Sequence, residues 1–142
     1  MPRNMDDQLG SAGMPLLDTL GVSFDAYGEG WSSAVWTPTD VCANPIGVVQ
    51  AGVHAVVLDA ACNFALLAGL ERGEHGVTVE MKVANLRAAL VDDELVVRGD
   101  ALRIGTSVAH LEATVSTSPD GDKGSRVVSK ASATFAVQRR DD

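Results

Sequence analysis

From Gly47 to Leu70 the chain is built almost entirely of Ala, Val, Leu and similar residues, interrupted by four polar side chains, Gln50, His54, Asp59 and Asn63. If this stretch is helical, each residue advances by about 100°, so Gln50 and His54 share one face. Asp59 and Asn63 then lie together on roughly the opposite face, a carboxylate and an amide one turn apart. A carboxylate on an apolar helix needs a reason, because burying one without partners is costly. Two reasons are open at this point. Asp59 ties down a neighbouring loop through backbone hydrogen bonds, or it is held ready as a general base or nucleophile.

The remaining reactive side chains offer less. Cys62 sits in the same apolar stretch and reads as a small core residue. Cys42 lies close to Asn44 and could line a pocket, but no histidine is near enough in sequence to activate it. His54 reads as a hydrogen-bonded helix residue, and His75 and His110 as turn and strand surface positions. Three scattered histidines without a spaced carboxylate cluster support no metal site. Two cysteines form no disulfide framework, and no residue pattern calls for a cofactor.

The elements that must position Asp59 can be read from periodicity. Residues 1–13 are polar and read as a flexible N-terminal arm, leaving 14–142 as one domain. Met14–Leu20 suits a short amphipathic helix. Gly21–Tyr27 and Trp31–Thr37 read as strands about a Gly28-Glu29-Gly30 turn, with Trp31 and Trp36 as packing residues. Pro38 ends the second strand, and Thr39–Ile46 is a loop carrying Cys42, Asn44 and Pro45. The long helix follows, then a Gly73–Gly76 turn.

Four strands come next, over Val77–Leu90, Glu94–Ile104, Ser107–Ser118 and Arg126–Gln138, with a Pro119–Ser125 turn before the last. Ala109, Leu111, Ala113 and Val115 alternate with His110, Glu112, Thr114 and Ser116, the period of a sheet with one covered face and one wet face. In the first of the four, Glu80 and Lys82 fall on the same face as Thr78 and read as a surface or interface pair. Short turns between consecutive strands favour antiparallel pairing. The expected fold class is α+β, one long helix packed on a curved antiparallel sheet.

Composition narrows the partners. The chain has 142 residues, 46% hydrophobic and 21% charged, and a net charge of −8. Such an acidic balance lacks the footprint of a nucleic-acid binder. A membrane span over Gly47–Leu70 is disfavoured by Asp59 near its middle, which costs roughly 2.5–3.5 kcal/mol at a bilayer centre. The first residues lack a basic region followed by an apolar one, so no secretory signal is read and a reducing cytoplasm is the expected location. Arg87, Arg103, Arg139 and Arg140 are the basic groups available to an anionic ligand, though each is ordinarily a solvated surface charge.

The run Asn44-Pro-Ile-Gly47-Val-Val-Gln50-Ala51-Gly52, with Asp59 seven residues beyond Gly52, resembles the signature of the hotdog-fold thioesterases. The branch it is most similar to is the phenylacetyl-CoA and 4-hydroxybenzoyl-CoA thioesterase group. A later segment, Gly76 to Val83, resembles the strand after the helix in that family, with Thr78 where the family often has Ser or Thr. The resemblance extends roughly from residue 16 to residue 138. It departs where the family has His-Gly-Gly and this chain has Gln50-Ala51-Gly52.

That resemblance implies a hotdog fold and hydrolysis of an acyl-CoA, with Asp59 as general base or nucleophile. It assigns the oxyanion contact to the backbone N–H of Ala51, which alanine supplies provided its φ need not be positive. It has Asn44 position water or the thioester, Thr78 orient water or Asp59, and Gly52 and Asn63 line the substrate site. Asn63 is a water-holding or a packing residue. The family often contacts the CoA nucleotide around Arg103 and Gly105, and those two residues carry that expectation here.

Along one helix Asp59 lies about 12 Å from Ala51, too far to serve its own helix N-terminus. The family closes its site between two subunits. This implies Asn44 and Ala51 of one copy opposite Asp59 and Thr78 of the other, in a homodimer or a dimer of dimers. Thioesters of acyl carrier protein are a second substrate form, and an acyl-CoA-binding protein without catalysis is the alternative reading. Hydration or dehydration of the thioester finds no histidine paired with Asp59.

Overall fold

The structure, a computed structural model, describes residues 3–119 and 124–139. Arg140 and the middle of the Pro119–Ser125 turn lie outside the described residues. The elements run α1 (Pro15–Leu20), β1 (Val22–Gly28), β2 (Trp31–Trp36), α2 (Ala51–Gly69), β3 (Glu74–Asn85), β4 (Leu95–Ile104), β5 (Val108–Thr117) and β6 (Val127–Arg139). The strands form one sheet in the order β1-β2-β4-β5-β6-β3, every neighbouring pair antiparallel. The sheet curves around α2 in the hotdog arrangement.

The alternation expected of β5 is present, with Ala109, Leu111, Ala113 and Val115 buried against the helix. Ala131, Ala133 and Phe135 of β6 continue that inner face, and His110, Glu112 and Lys130 point outward. Phe24 stacks on Phe64 of α2 with ring centroids 4.5 Å apart, and Trp36 is fully buried with Nε1–H donating to Leu20 O at 3.0 Å. The helix lies close on the sheet at Gly99, where a Cβ would come within 2.3 Å of Ala61 O. Ser32 Oγ donates to that same carbonyl at 2.8 Å, so a sheet hydroxyl is bonded to helix backbone in mid-span. By length and mean hydropathy, 1.6, α2 could cross a bilayer. Here it is wrapped by its own sheet instead.

Several boundaries differ from the sequence reading, each for a local reason. The helix begins at Ala51 rather than Gly47, because Gly47 takes φ +83° and Val48 and Val49 bridge to Leu90 and Ala43 as extended chain. The turn after α2 ends at Gly73, with φ +92°, so His75 and Gly76 belong to β3 and His75 is half-buried. Gly76 faces Leu66, whose Cδ2 would lie 2.3 Å from an added Cβ. β3 ends at Asn85 rather than Leu90. The N–H groups of Leu86 and Arg87 both donate to Val128 O, and the chain then swings over the start of α2, where Ala89 O accepts from Val49 N.

The segment read as a flexible arm packs against the sheet over residues 3–13. Met5 is fully buried, Tyr27 O–H donates to Asp6 at 2.6 Å, and Gly10 and Phe24 exchange backbone hydrogen bonds of 2.9 and 2.7 Å. One fully buried side chain, Met5, and the backbone bonds to Phe24 anchor it, which average composition does not register. Cys42 lies in a short 3₁₀ turn, Asp40–Cys42, and is fully buried with Sγ directed at Leu20 O, 3.5 Å away. It is a core residue and is not among those lining the cleft beside Asn44.

Candidate active site

The sheet does not cover α2 completely. Ala55, Val56, Asp59, Asn63 and Leu67 are half-buried and Gly52 is exposed, while Val57, Leu58, Ala61, Cys62 and Ala65 are sealed against the strands. The open residues recur at helical spacing and so form a stripe along α2. Asp59 stands at its centre.

Thr78 Oγ1 donates to Asp59 Oδ1 at 2.7 Å. This contact depends on an irregularity of β3. Thr78 pairs with Phe135 and Glu80 with Thr134, so Val79 is an extra residue opposite nothing on β6. A bulge of this kind reverses which face the following side chains take and can re-aim a single side chain. Thr78 therefore shares the inner face with Phe135, and Glu80 and Lys82 share the outer face with Thr134 and Ser132. The expectation that all three lie on one face fails at this bulge. A hydroxyl donated to an ionised carboxylate at this length is a charge-assisted hydrogen bond. It fixes one oxygen of Asp59 and leaves the rest of the carboxylate toward the open stripe.

A second group of expected residues gathers at the start of α2. Gln50 occupies the cap position without a capping side-chain bond, and Val53 N donates to Gln50 O at 3.0 Å. The first N–H groups of a helix have no partner within it, and Ala51 and Gly52 at this terminus are exposed. Among the described residues only Ala12 and Asp92 are non-glycines with positive φ, so the methyl of Ala51 imposes no backbone strain. At Gly52 the nearest atom to an added Cβ is Gln50 Oε1 at 3.8 Å, so nothing in the chain itself demands glycine there.

Asn44 differs from expectation in detail. Its Oδ1 accepts from Ile46 N at 3.1 Å and Val48 N at 3.0 Å, shaping the loop that leads into α2. Because both partners are backbone donors, the side-chain NH₂ is the group left for a ligand. Asn44 and Ala51 line a cleft of about 410 Å³ together with His54 and the segment Asn85–Ala88, which includes Arg87. The cleft walls contributed by that segment were missed from the sequence, where the same residues read as continuing strand.

The structure thus brings Asn44 to Ala51, and Asp59 to Thr78 and Asn63, as two separate groups. Arg103 and Gly105 join neither. They lie at the β4–β5 turn, where neighbouring Ile104 meets Gly69 at the far end of α2. Arg103 pairs with His110 on the outer face. Gly105 has a packing reason to be glycine, since a Cβ would sit 2.9 Å from Val108 O. Larger clefts of about 880 and 1030 Å³ at that end contain neither group of expected site residues.

A model of the thioesterase superfamily matches residues 46–123. The chain belongs to the thioesterase superfamily. The matched span takes in Ala51, Asp59 and Thr78, and Asn44 falls just before it. Mouse acyl-coenzyme A thioesterase 13 is 27% identical over 78 residues, 55% of each chain, so this chain spans about half the length of the curated relative it matches. A phenylacetic acid degradation-related protein from Ralstonia eutropha JMP134 is 28% identical, with TM-score 0.77 over 94% of this chain and 99% of that one. A thioesterase family protein from Silicibacter pomeroyi superposes with TM-score 0.82 over 95% of both chains at 24% identity, a likeness of fold.

Cys62 and His54 are buried and have structural places in the core. Burial, aided by the charges of Asp59 and Glu112, pushes the Cys62 thiol up to about 12, so it stays protonated in the core as expected. His54 is 3% exposed with Nδ1 2.8 Å from Ser129 Oγ. Burial holds it below the ordinary histidine range, in its neutral form. Its place as a hydrogen-bonded helix residue follows the sequence reading.

Proposed function

We propose that this protein hydrolyses an acyl-CoA thioester to a free acid and CoA, in a site closed between two copies of the chain. The observation that carries the reading is the Thr78–Asp59 hydrogen bond on the one stripe of α2 its own sheet leaves open. A carboxylate with an oriented oxygen on an open helix face is placed to meet something brought from outside. What it lacks within the chain is an oxyanion contact. The amides at Ala51 supply one type of donor, with the positive end of the helix dipole behind them, but lie about 12 Å away along the same helix.

A two-fold pair with antiparallel helices removes that separation. Ala51 and Asn44 of one copy then face Asp59 and Thr78 of the other, giving two sites per dimer. Edge strand β3 favours such pairing, since it carries Val77 at 47% and Val79 at 66% exposure on an unpaired edge. In this site the thioester carbonyl rests on Ala51 N–H. Asp59 takes a proton from water as the water oxygen bonds to the carbonyl carbon. The tetrahedral intermediate collapses with loss of the C–S bond, and the thiolate of CoA takes up a proton on leaving. Direct attack by Asp59, giving a mixed anhydride that water then opens, uses the same geometry. Asn63 holds water on the stripe, and Arg103 and Gly105 at the far end of the helix contact the CoA nucleotide.

The test is thiol release from a panel of aromatic and aliphatic acyl-CoAs, with carrier-protein thioesters alongside, for wild type and Asp59→Ala. The expected outcome is turnover by wild type and a loss of at least about a hundredfold in the variant. Binding without thiol release by wild type would instead establish an acyl-CoA-binding protein.

A further inference from the structure

His54 is a buried titratable group that the proposed reaction leaves without a task. Its Nδ1 is engaged by Ser129, itself fully buried, and the ring lies edge-on to Trp36 with centroids 5.2 Å apart. Both contacts fix the ring plane. No hydrogen bond among the described residues reaches Nε2, yet no buried side-chain nitrogen or oxygen in them is sealed without a partner. Nε2 is therefore the ring atom that opens onto the cleft His54 lines with Ala51 and Asn44.

Helical side chains lean toward the N-terminus, so this ring lies over the turn that carries Ala51. A ligand carbonyl on Ala51 N–H would place its substituents within reach of Nε2. The nearby walls combine the apolar Val48, Val49, Leu86 and Ala88 with the polar Asn44, Asn85 and Arg87. A polar atom held in a fixed ring beside apolar walls is the kind of group by which binding sites discriminate among ligands.

We infer that this cleft receives the acyl group and that His54 Nε2 selects acyl groups bearing a hydroxyl a few atoms from the thioester carbonyl. This rests on the reading of Ala51 as the carbonyl contact. A hydroxyl is the substituent that fits, for a chemical reason. Neutral imidazole presents a donor or an acceptor at Nε2 according to how Ser129 holds Nδ1, and a hydroxyl answers either, whereas a carboxylate answers only a donor. An acyl group without the hydroxyl leaves Nε2 desolvated and unpaired. His54 is a specificity-determining residue here and takes no part in bond making.

The experiment uses dethia analogues, in which a methylene replaces the thioester sulfur, so that binding is read without turnover. Hexanoyl is compared with its 3-, 4- and 5-hydroxy forms, and benzoyl with its ring-hydroxylated forms, by calorimetry on the full chain. One hydroxyl position should bind about five- to tenfold more tightly than the plain analogue. In His54→Phe the ratio should fall to about one. In wild type carrying ¹⁵N-histidine, the Nε2 resonance should move with the preferred analogue and not with the plain one, a readout that needs no variant to fold. Equal binding of plain and hydroxylated forms in both series, an Nε2 resonance indifferent to the hydroxyl, or no binding at all would overturn the inference. Thiol release from the parent thioesters is scored separately, so failure of hydrolysis and failure of selectivity are told apart.

Discussion

Replacing Ala51 with proline removes one N–H group and disturbs little else. Ala51 is the first residue of α2, where proline is well tolerated because its missing donor has no helical partner. Gln50 before it already has φ −62° and ψ 140°, the extended conformation that a residue preceding proline prefers. The variant should therefore keep wild-type stability to within about 1 kcal/mol. Losing an oxyanion donor typically lowers kcat by about 10²–10³. Thiol release under saturating acyl-CoA gives kcat, and thermal melts give the stability. The same variant tests the two-copy site through complementation. When Asp59→Asn and Ala51→Pro proteins exchange subunits at random, half the dimers are mixed, and each mixed dimer carries one intact site of two. Activity should rise from near zero to about one quarter of wild type. If both groups acted within one chain, no mixture could restore it. A folded Ala51→Pro protein within threefold of wild-type kcat would refute the oxyanion assignment, and mixtures that stay inactive despite confirmed exchange would refute the two-copy site.

Thr78→Val keeps side-chain shape and removes the hydroxyl from Asp59. With the carboxylate half-buried, the lost charge-assisted bond should cost about 1–2 kcal/mol, five- to thirtyfold in kcat with KM little changed, and steady-state kinetics will show it. Stability should depend on pH through His54. Its folded pKa is lowered by burial, so the stabilisation is complete above the ordinary value of 6.5. It is lost as pH falls below that value, because the unfolded chain binds a proton that the folded chain refuses. Denaturant melts from pH 7.5 to 5 should show a shallower decline in His54→Gln than in wild type, and parallel curves would remove His54 from the account.

The order of elements was legible because period-two alternation in the late strands and the long apolar run around Asp59 are signals spread over many residues. Asp59 itself stood out for the same reason, as one carboxylate set against an apolar background. What escaped depended on single residues or single insertions. Met5 anchors residues 3–13 by one buried side chain. The segment Leu86–Leu90 has strand-like composition but leaves the sheet to wall the cleft, a route set by hydrogen bonds to Val128 that no local pattern encodes. Thr78 is the sharpest case. Counted by alternation it sides with Glu80 and Lys82, facing away from the helix, and the Asp59 contact would not exist. The extra residue at Val79 inverts that count. Such a bulge sacrifices ladder pairing, and on edge strand β3 it does so where one side was already unpaired. The position that disturbs the sheet least is thus also the one that turns a hydroxyl onto the carboxylate.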